Sequence, residues 1–142
     1  IMVPHAYGTP ANTSFTGKTA AVAYTENVVG SARELSGNAT LTLDGSKNAN
    51  LHLAFENYYT FDINSDNYGG GFDFQTVSSV AVSGVNSNGG PAFSSCTSNC
   101  SSAGLVDYMY SGQYSAEEAA GTYKYTNGGN TLTGSFGAKL DN

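Results

Sequence analysis

From Ser14 onward, apolar and polar residues alternate with period 2, the spacing at which successive side chains of an extended strand face opposite ways. The first such stretch is "SFTGKTAAVAYTE". In "ATLTLDG", Leu41 and Leu43 share a face and Asp44-Gly45 begins a turn. In "NANLHLAFENYYTFDIN", Leu51, Leu53 and Phe55 share one face, while His52 and Ala54 share the other. A short turn at Glu56-Asn57 then leads to Tyr59, Phe61 and Ile63, which point inward against Thr60 and Asp62. "SDNYGGG" breaks the pattern, "FDFQTV" puts Phe72 and Phe74 on one face, and "SVAVSGV" follows. Residues 86–104, "NSNGGPAFSSCTSNCSSAG", have no period and form the longest loop. Alternation resumes in "LVDYMYSGQYS", with Val106, Tyr108 and Tyr110 on one side. "TYKYT" and "TLTGSFGAKL" close the chain around a hairpin turn at Asn127-Gly128-Gly129.

About eight strands in sequence order, joined mostly by short turns, predict an all-β fold: a single antiparallel up-and-down β-barrel, with a sandwich as the alternative. Residues 1–13, with Pro4 and Pro10 and no periodicity, read as an N-terminal arm or linker, and residues 14–142 as the barrel domain. One stretch departs from the strand pattern. In "SAEEAAG", Ser115 suits a helix cap, Glu117 and Glu118 suit the positive first turn, and Gly121 suits the end. These residues predict a short helical turn near 115–120, acting as a connector over one barrel mouth.

Composition narrows the picture. At 142 residues the chain is most economically one domain. Its 18 Gly, 10 Tyr and 7 Phe, beside only 11% charged residues, disfavour a helical bundle and favour strands with tight turns. A net charge of −6 with five Lys plus Arg leaves too little positive surface to track phosphates, so nucleic acid is not an expected partner. No run approaches the roughly 20 apolar residues of a membrane helix. The opening "IMVPHAYGTP" reads neither as a signal peptide nor as a lipoprotein leader, so export would require a leader already removed or left out of this sequence. Cys96 and Cys100, in "SSCTSNCSS", suit a small disulfide-closed loop and an oxidising compartment, with free thiols as the alternative. Zinc would need two more ligands, and the chain has only His5 and His52.

Few residues carry reactive chemistry. Glu117 and Glu118 are adjacent and point apart, which does not suit an acid–base pair across a substrate. No nucleophile–base pattern is visible either, so no catalytic residue is assigned and a non-enzyme is expected. Asp62, Asn64 and Asp66 fall at positions one, three and five of a twelve-residue stretch that mimics a calcium loop. Asn67 stands where that loop needs glycine, and the bidentate Glu is missing, so a hairpin loop is the default and no metal is expected. His52, opposite Leu51 and Leu53, is expected on the outside of the barrel, and His5 in the arm; each has the axial-ligand chemistry for haem iron. Asn12, Asn38 and Asn99 each head an Asn-x-Ser/Thr sequon.

The pattern "SGQYSAEEAAGTYKY" followed by "LTGSFGAK" resembles the C-terminal β-barrel of the transferrin-binding protein B family. Gly112, Tyr114, Ala116, Glu117, Glu118, Gly121, Tyr123, Phe136, Gly137, Ala138 and Lys139 carry the likeness, and "FTGKTAAVAY", "LSGNATLTLD" and "LAFENYYTFDI" look like its early strands. The shorter, hemophilin-like members look closer. The resemblance implies a non-enzymatic binding protein, or its C-terminal domain, on the surface of a Gram-negative bacterium as an outer-membrane lipoprotein, or secreted. It implies export through a Slam-type translocon and capture of a host protein or of haem for nutrient uptake or host interaction. A carrier of small apolar ligands and a structural adhesion domain are the alternatives. Recognition is expected at the barrel mouths, on the 86–104 loop with Phe93 and the "SDNYGGG" turn with Tyr68.

Overall fold

The computed structural model describes residues 12–25, 32–44, 48–56, 58–68, 74–84, 92–97, 100, 108–114 and 118–141. Eight strands run in chain order: β1 (Asn12–Thr25), β2 (Arg33–Asp44), β3 (Ala49–Phe55), β4 (Tyr59–Tyr68), β5 (Phe74–Gly84), β6 (Tyr108–Tyr114), β7 (Glu118–Asn127) and β8 (Asn130–Leu140). They form one antiparallel sheet in the order β5-β4-β3-β2-β1-β8-β7-β6. Every strand lies beside its neighbour in sequence except β5 and β6, and β1 and β8 lie side by side. This is the expected up-and-down path. Asn12 and Thr13, expected in the arm, already pair with Asp44 and Leu43.

Period-2 alternation decides which face closes inward. Among the described residues, Phe15, Leu41, Leu51, Leu53, Phe61, Ile63, Val80, Tyr123, Tyr125 and Leu132 are the large side chains that are fully buried. Their registers agree across the sheet. Phe15 stands opposite Leu41 and Leu140, Leu41 opposite Leu51, and Leu51 opposite Ile63. Phe136, opposite Thr19 and Gly121, is buried as its period predicts. The sheet curls on itself: the rings of Phe61 on β4 and Tyr125 on β7 meet with centroids 6.0 Å apart, although four strands separate β4 from β7 in the sheet. β5 and β6 approach each other across a seam, and among the described residues no ladder joins them.

Two hairpins show how local sequence sets the turns. Gly128 and Gly129 have φ of 62° and 88°, the doubly positive geometry of a two-residue turn that only glycine and a few polar residues adopt easily. Asp44 braces the β2–β3 turn, its carboxylate accepting from the Asn48 amide at 3.0 Å.

Two expectations are corrected. The helical turn near 115–120 is not formed over its second half, because Glu118, Ala119 and Ala120 begin β7 and pair with Lys139, Ala138 and Gly137. Ala119 and Ala120 also pair with Tyr114 and Gln113 on the other side. Ladders on both sides of Ala119 and Ala120, and on one side of Glu118, satisfy backbone groups that a single helical turn would leave open, and they override the helix preference of Ala and Glu. Residues 115–117, which include Glu117, lie outside the described residues. The expected break at "SDNYGGG" is the second correction. Asp66, Asn67 and Tyr68 continue β4, with register shifts against β5 between Asn64 and Tyr68. The strand bulges there before it turns.

Candidate binding surfaces

His52 lies on the outer face of β3, as expected, with its Nδ1 2.7 Å from Asp62 Oδ1 on β4. Asn50 extends this ladder, donating to Asn64 Oδ1 at 2.8 Å and, at longer range, to Asp62 Oδ1 at 3.4 Å. Asn64 donates to Ser79 Oγ on β5 at 3.1 Å. The result is a polar band across β3, β4 and β5. The His52 and Asp62 side chains are 41% and 38% exposed, so the pair is solvated and contributes little to stability. Asp62 and Asn64 sit on an extended strand, and their side-chain oxygens both accept from Asn50 Nδ2. The side chain of Asp66, and His5, lie outside the described residues.

Phe93 occupies a different environment from a projecting loop tip. Its ring is half-buried at one end of the barrel, edge-on to Tyr59 and Phe61 with centroids 5.5 and 5.4 Å apart, and 6.1 Å from the tilted ring of Tyr125. Phe55 joins the cluster, 6.0 Å from Phe61. Edge-to-face aromatic groups of this kind add to stability beyond the area they bury. The backbone of residues 92–97 is tied down on both sides. Asn130 Nδ2 donates to the Ala92 carbonyl, Tyr125 Oη and Asn127 Nδ2 donate to the Ser94 carbonyl, and Cys96 pairs with Val80 on β5. Burial raises the ionisation of Tyr59 and Tyr125 above the usual tyrosine range; hydrogen bonds to the Phe93 backbone and to Asn127 offset part of it. Cys96 and Cys100 form a disulfide.

Tyr68 lies at the opposite end. Its backbone pairs with Phe74, whereas Tyr59, at the other end of β4, pairs with Gly84 beside the Phe93 cluster. Nine residue steps of strand place the two ends about 30 Å apart. Phe93 and the backbone of Tyr68 therefore stand at opposite ends of β4. The side chain of Tyr68 lies outside the described residues. Sequence reading did not single out Asn127, Asn130 or Tyr125 as anchors for the 92–97 segment. The one available signal was Tyr125, whose period places it inward beside a polar loop long enough to return to it.

Two solved structures are similar over nearly the whole chain. One is a single-residue variant of transferrin binding protein B, a vaccine antigen, from Actinobacillus pleuropneumoniae H49, with a TM-score of 0.55, 15% identity and 93% of this chain covered. The other is described as a surface lipoprotein, with a TM-score of 0.50, 17% identity and 94% coverage. The chain spans less than two thirds of either structure, 63% of the first and 65% of the second. No family model matches the sequence, and no curated protein matches it. The buried inward face, the up-and-down order and the structural likeness agree: this chain has the β-barrel fold of transferrin-binding protein B, the fold its terminal motif from Gly112 to Lys139 resembles.

Proposed function

We propose that this chain is a non-enzymatic binding module of a bacterial cell surface, a lipoprotein or secreted protein, that captures a host protein through an end of its barrel. The observation that carries the reading is the filled interior. Phe15, Phe61, Tyr123, Tyr125 and the inward leucines occupy the space in which a carrier barrel holds a small ligand. Recognition then belongs to the connections. Strand directions bring those after β1, β3, β5 and β7 to the Phe93 end, and those after β2, β4 and β6 to the Tyr68 end.

A host protein is favoured over haem. His52 stands among Asn50, Asp62 and Asn64, a polar band without the apolar walls a macrocycle requires. A Slam-type translocon is the export route this reading carries. Pull-down from host serum, beside a haem titration followed by visible absorbance, tests it. Retention of a defined serum protein supports the proposal, and loss of that retention in Tyr68→Ala would assign the contact to the Tyr68 end. A stoichiometric haem spectrum abolished by His52→Ala, with no serum protein retained, would replace it with a haem-binding function.

A further inference from the structure

Eight-stranded sheets that do not close leave two edges, and an edge strand carries a row of backbone groups ready to pair with another chain. Here the β5 edge is covered from within the chain. In an antiparallel strand, alternate residues turn both backbone groups to the same side. On β5, Val80 and Val82 turn theirs away from β4. The Val80 amide donates to the Cys96 carbonyl at 2.9 Å, and the Cys96 amide donates to the Val80 carbonyl at 2.8 Å. The Val82 amide donates to Ser95 Oγ at 2.8 Å. One step further along, Cys100 Sγ lies 3.8 Å from the Ser78 carbonyl oxygen. Ser95, Cys96 and Cys100 thus cover three successive outward positions of β5. The same segment is held on the far side of the seam by Asn130 through Ala92, and by Tyr125 and Asn127 through Ser94.

We propose that residues 92–97 with Cys100 are a redox-controlled strap that joins the β5 edge to the β7–β8 hairpin, latched by the Cys96–Cys100 disulfide. A single bridged residue pair is far less than an independent strand needs, so the strap's place on β5 depends on what limits its freedom. Beside the hydrogen bonds at Ala92 and Ser94 and the packing of Phe93, the disulfide sets that limit on the β5 side, because it ties Cys96, at the bridge, to Cys100, packed beside Ser78. Cys100 is fully buried and Cys96 is 6% exposed, so a reductant reaches the sulfurs only as the strap opens.

The chemistry is thiol–disulfide exchange with a dithiol. One thiolate of the dithiol attacks a protein sulfur and the other cysteine leaves as a thiolate. The second thiol of the reductant then resolves the mixed disulfide. Two electrons and two protons pass to the cysteine pair, and the dithiol becomes its cyclic disulfide. Without the latch, the strap leaves β5 and uncovers the edge at Ser78, Val80 and Val82.

Amide hydrogen exchange on the whole chain tests this, with the oxidised protein beside protein reduced by dithiothreitol and alkylated. Protection of the Val80 and Val82 amides should fall by roughly tenfold or more on reduction, while amides of the β1–β8 ladder stay within about twofold. The double variant Cys96→Ser with Cys100→Ser, which carries no alkyl groups, should reproduce the loss. Unchanged protection at Val80 and Val82 in both forms would overturn the proposal. Loss of protection across the whole sheet would also overturn it, because the disulfide would then hold the fold rather than the strap.

Discussion

The hydroxyls of Thr19 and Tyr123 meet at 2.6 Å inside the sheet, although β1 and β7 are not neighbours. β8 runs between them, and Gly134 is the residue of β8 opposite Tyr123. Thr19 Oγ1 also donates to the Ser135 carbonyl at 2.7 Å. A Cβ at position 134 would lie 2.4 Å from the Tyr123 hydroxyl oxygen and 2.6 Å from the Ala20 carbonyl oxygen. Glycine here is the gap through which a tyrosine reaches across a strand. Gly134→Ala should destabilise the protein by about 1–3 kcal/mol through overpacking. In the Gly134→Ala, Tyr123→Phe double variant the losses should be less than additive, because the clash with the hydroxyl is gone. Chemical denaturation of the four proteins in the cycle measures this.

Burial pushes the Tyr123 ionisation up to about 12 from its ordinary 10.0, offset in part by the Thr19 hydroxyl. Tyr59 and Tyr125 shift in the same direction. The folded state therefore holds its protons where the unfolded chain gives them up. Stability is fully present below pH 10, falls as pH rises from 10 toward 12, and loses about 2–3 kcal/mol there from Tyr123 alone. Denaturation midpoints across that window should decline steeply for the natural sequence and less steeply for Tyr123→Phe.

Phe136 is 5% exposed on β8, opposite Thr19 and Gly121 in the middle of the sheet. Phe136→Ala should cost about 3–5 kcal/mol, as large truncations in packed cores do. A shift in thermal midpoint of only a degree or two would show that the β8 face is not part of the core.

Phe93 offers a contrast with a rim anchor. Its contacts with Tyr59, Phe61 and Tyr125 predict that Phe93→Ala lowers stability by about 1–3 kcal/mol. His52→Ala, which removes a solvated pair on the outer face, should change stability by less than about 1 kcal/mol. Thermal melts of the two variants side by side separate the roles.

The alternation of Leu41, Leu43, Leu51, Leu53, Phe61 and Ile63 made the inward face legible, because a half-buried strand permits one register and no other. Strand order followed from short turns. The segment 118–120 misled because Ala and Glu state only a local preference, and that preference lost to two ladders that come from strands elsewhere in the chain. Phe93 was legible as a loop residue, but its partners on β4 and β7 lie 32 or more positions away, beyond any local pattern. The polar band at His52 was half visible. The outward position of the histidine followed from its period, whereas its partner Asp62 depends on the β3–β4 register.

The first and last described strands lie side by side in the middle of the sheet, and Thr16 on β1 donates to Asp141, 125 positions later, at 2.9 Å. That arrangement dictates an order of assembly. A chain emerging from the ribosome can form the β1–β5 meander early, yet the β1 side of that meander waits, unpaired and apolar on one face, until residues 130–140 arrive. Ladders of such long sequence separation form slowly, since the loop must close before the contacts reward it. The finished fold is thus withheld until residues 130–140 are available, which makes the arrival of β8 the committing step.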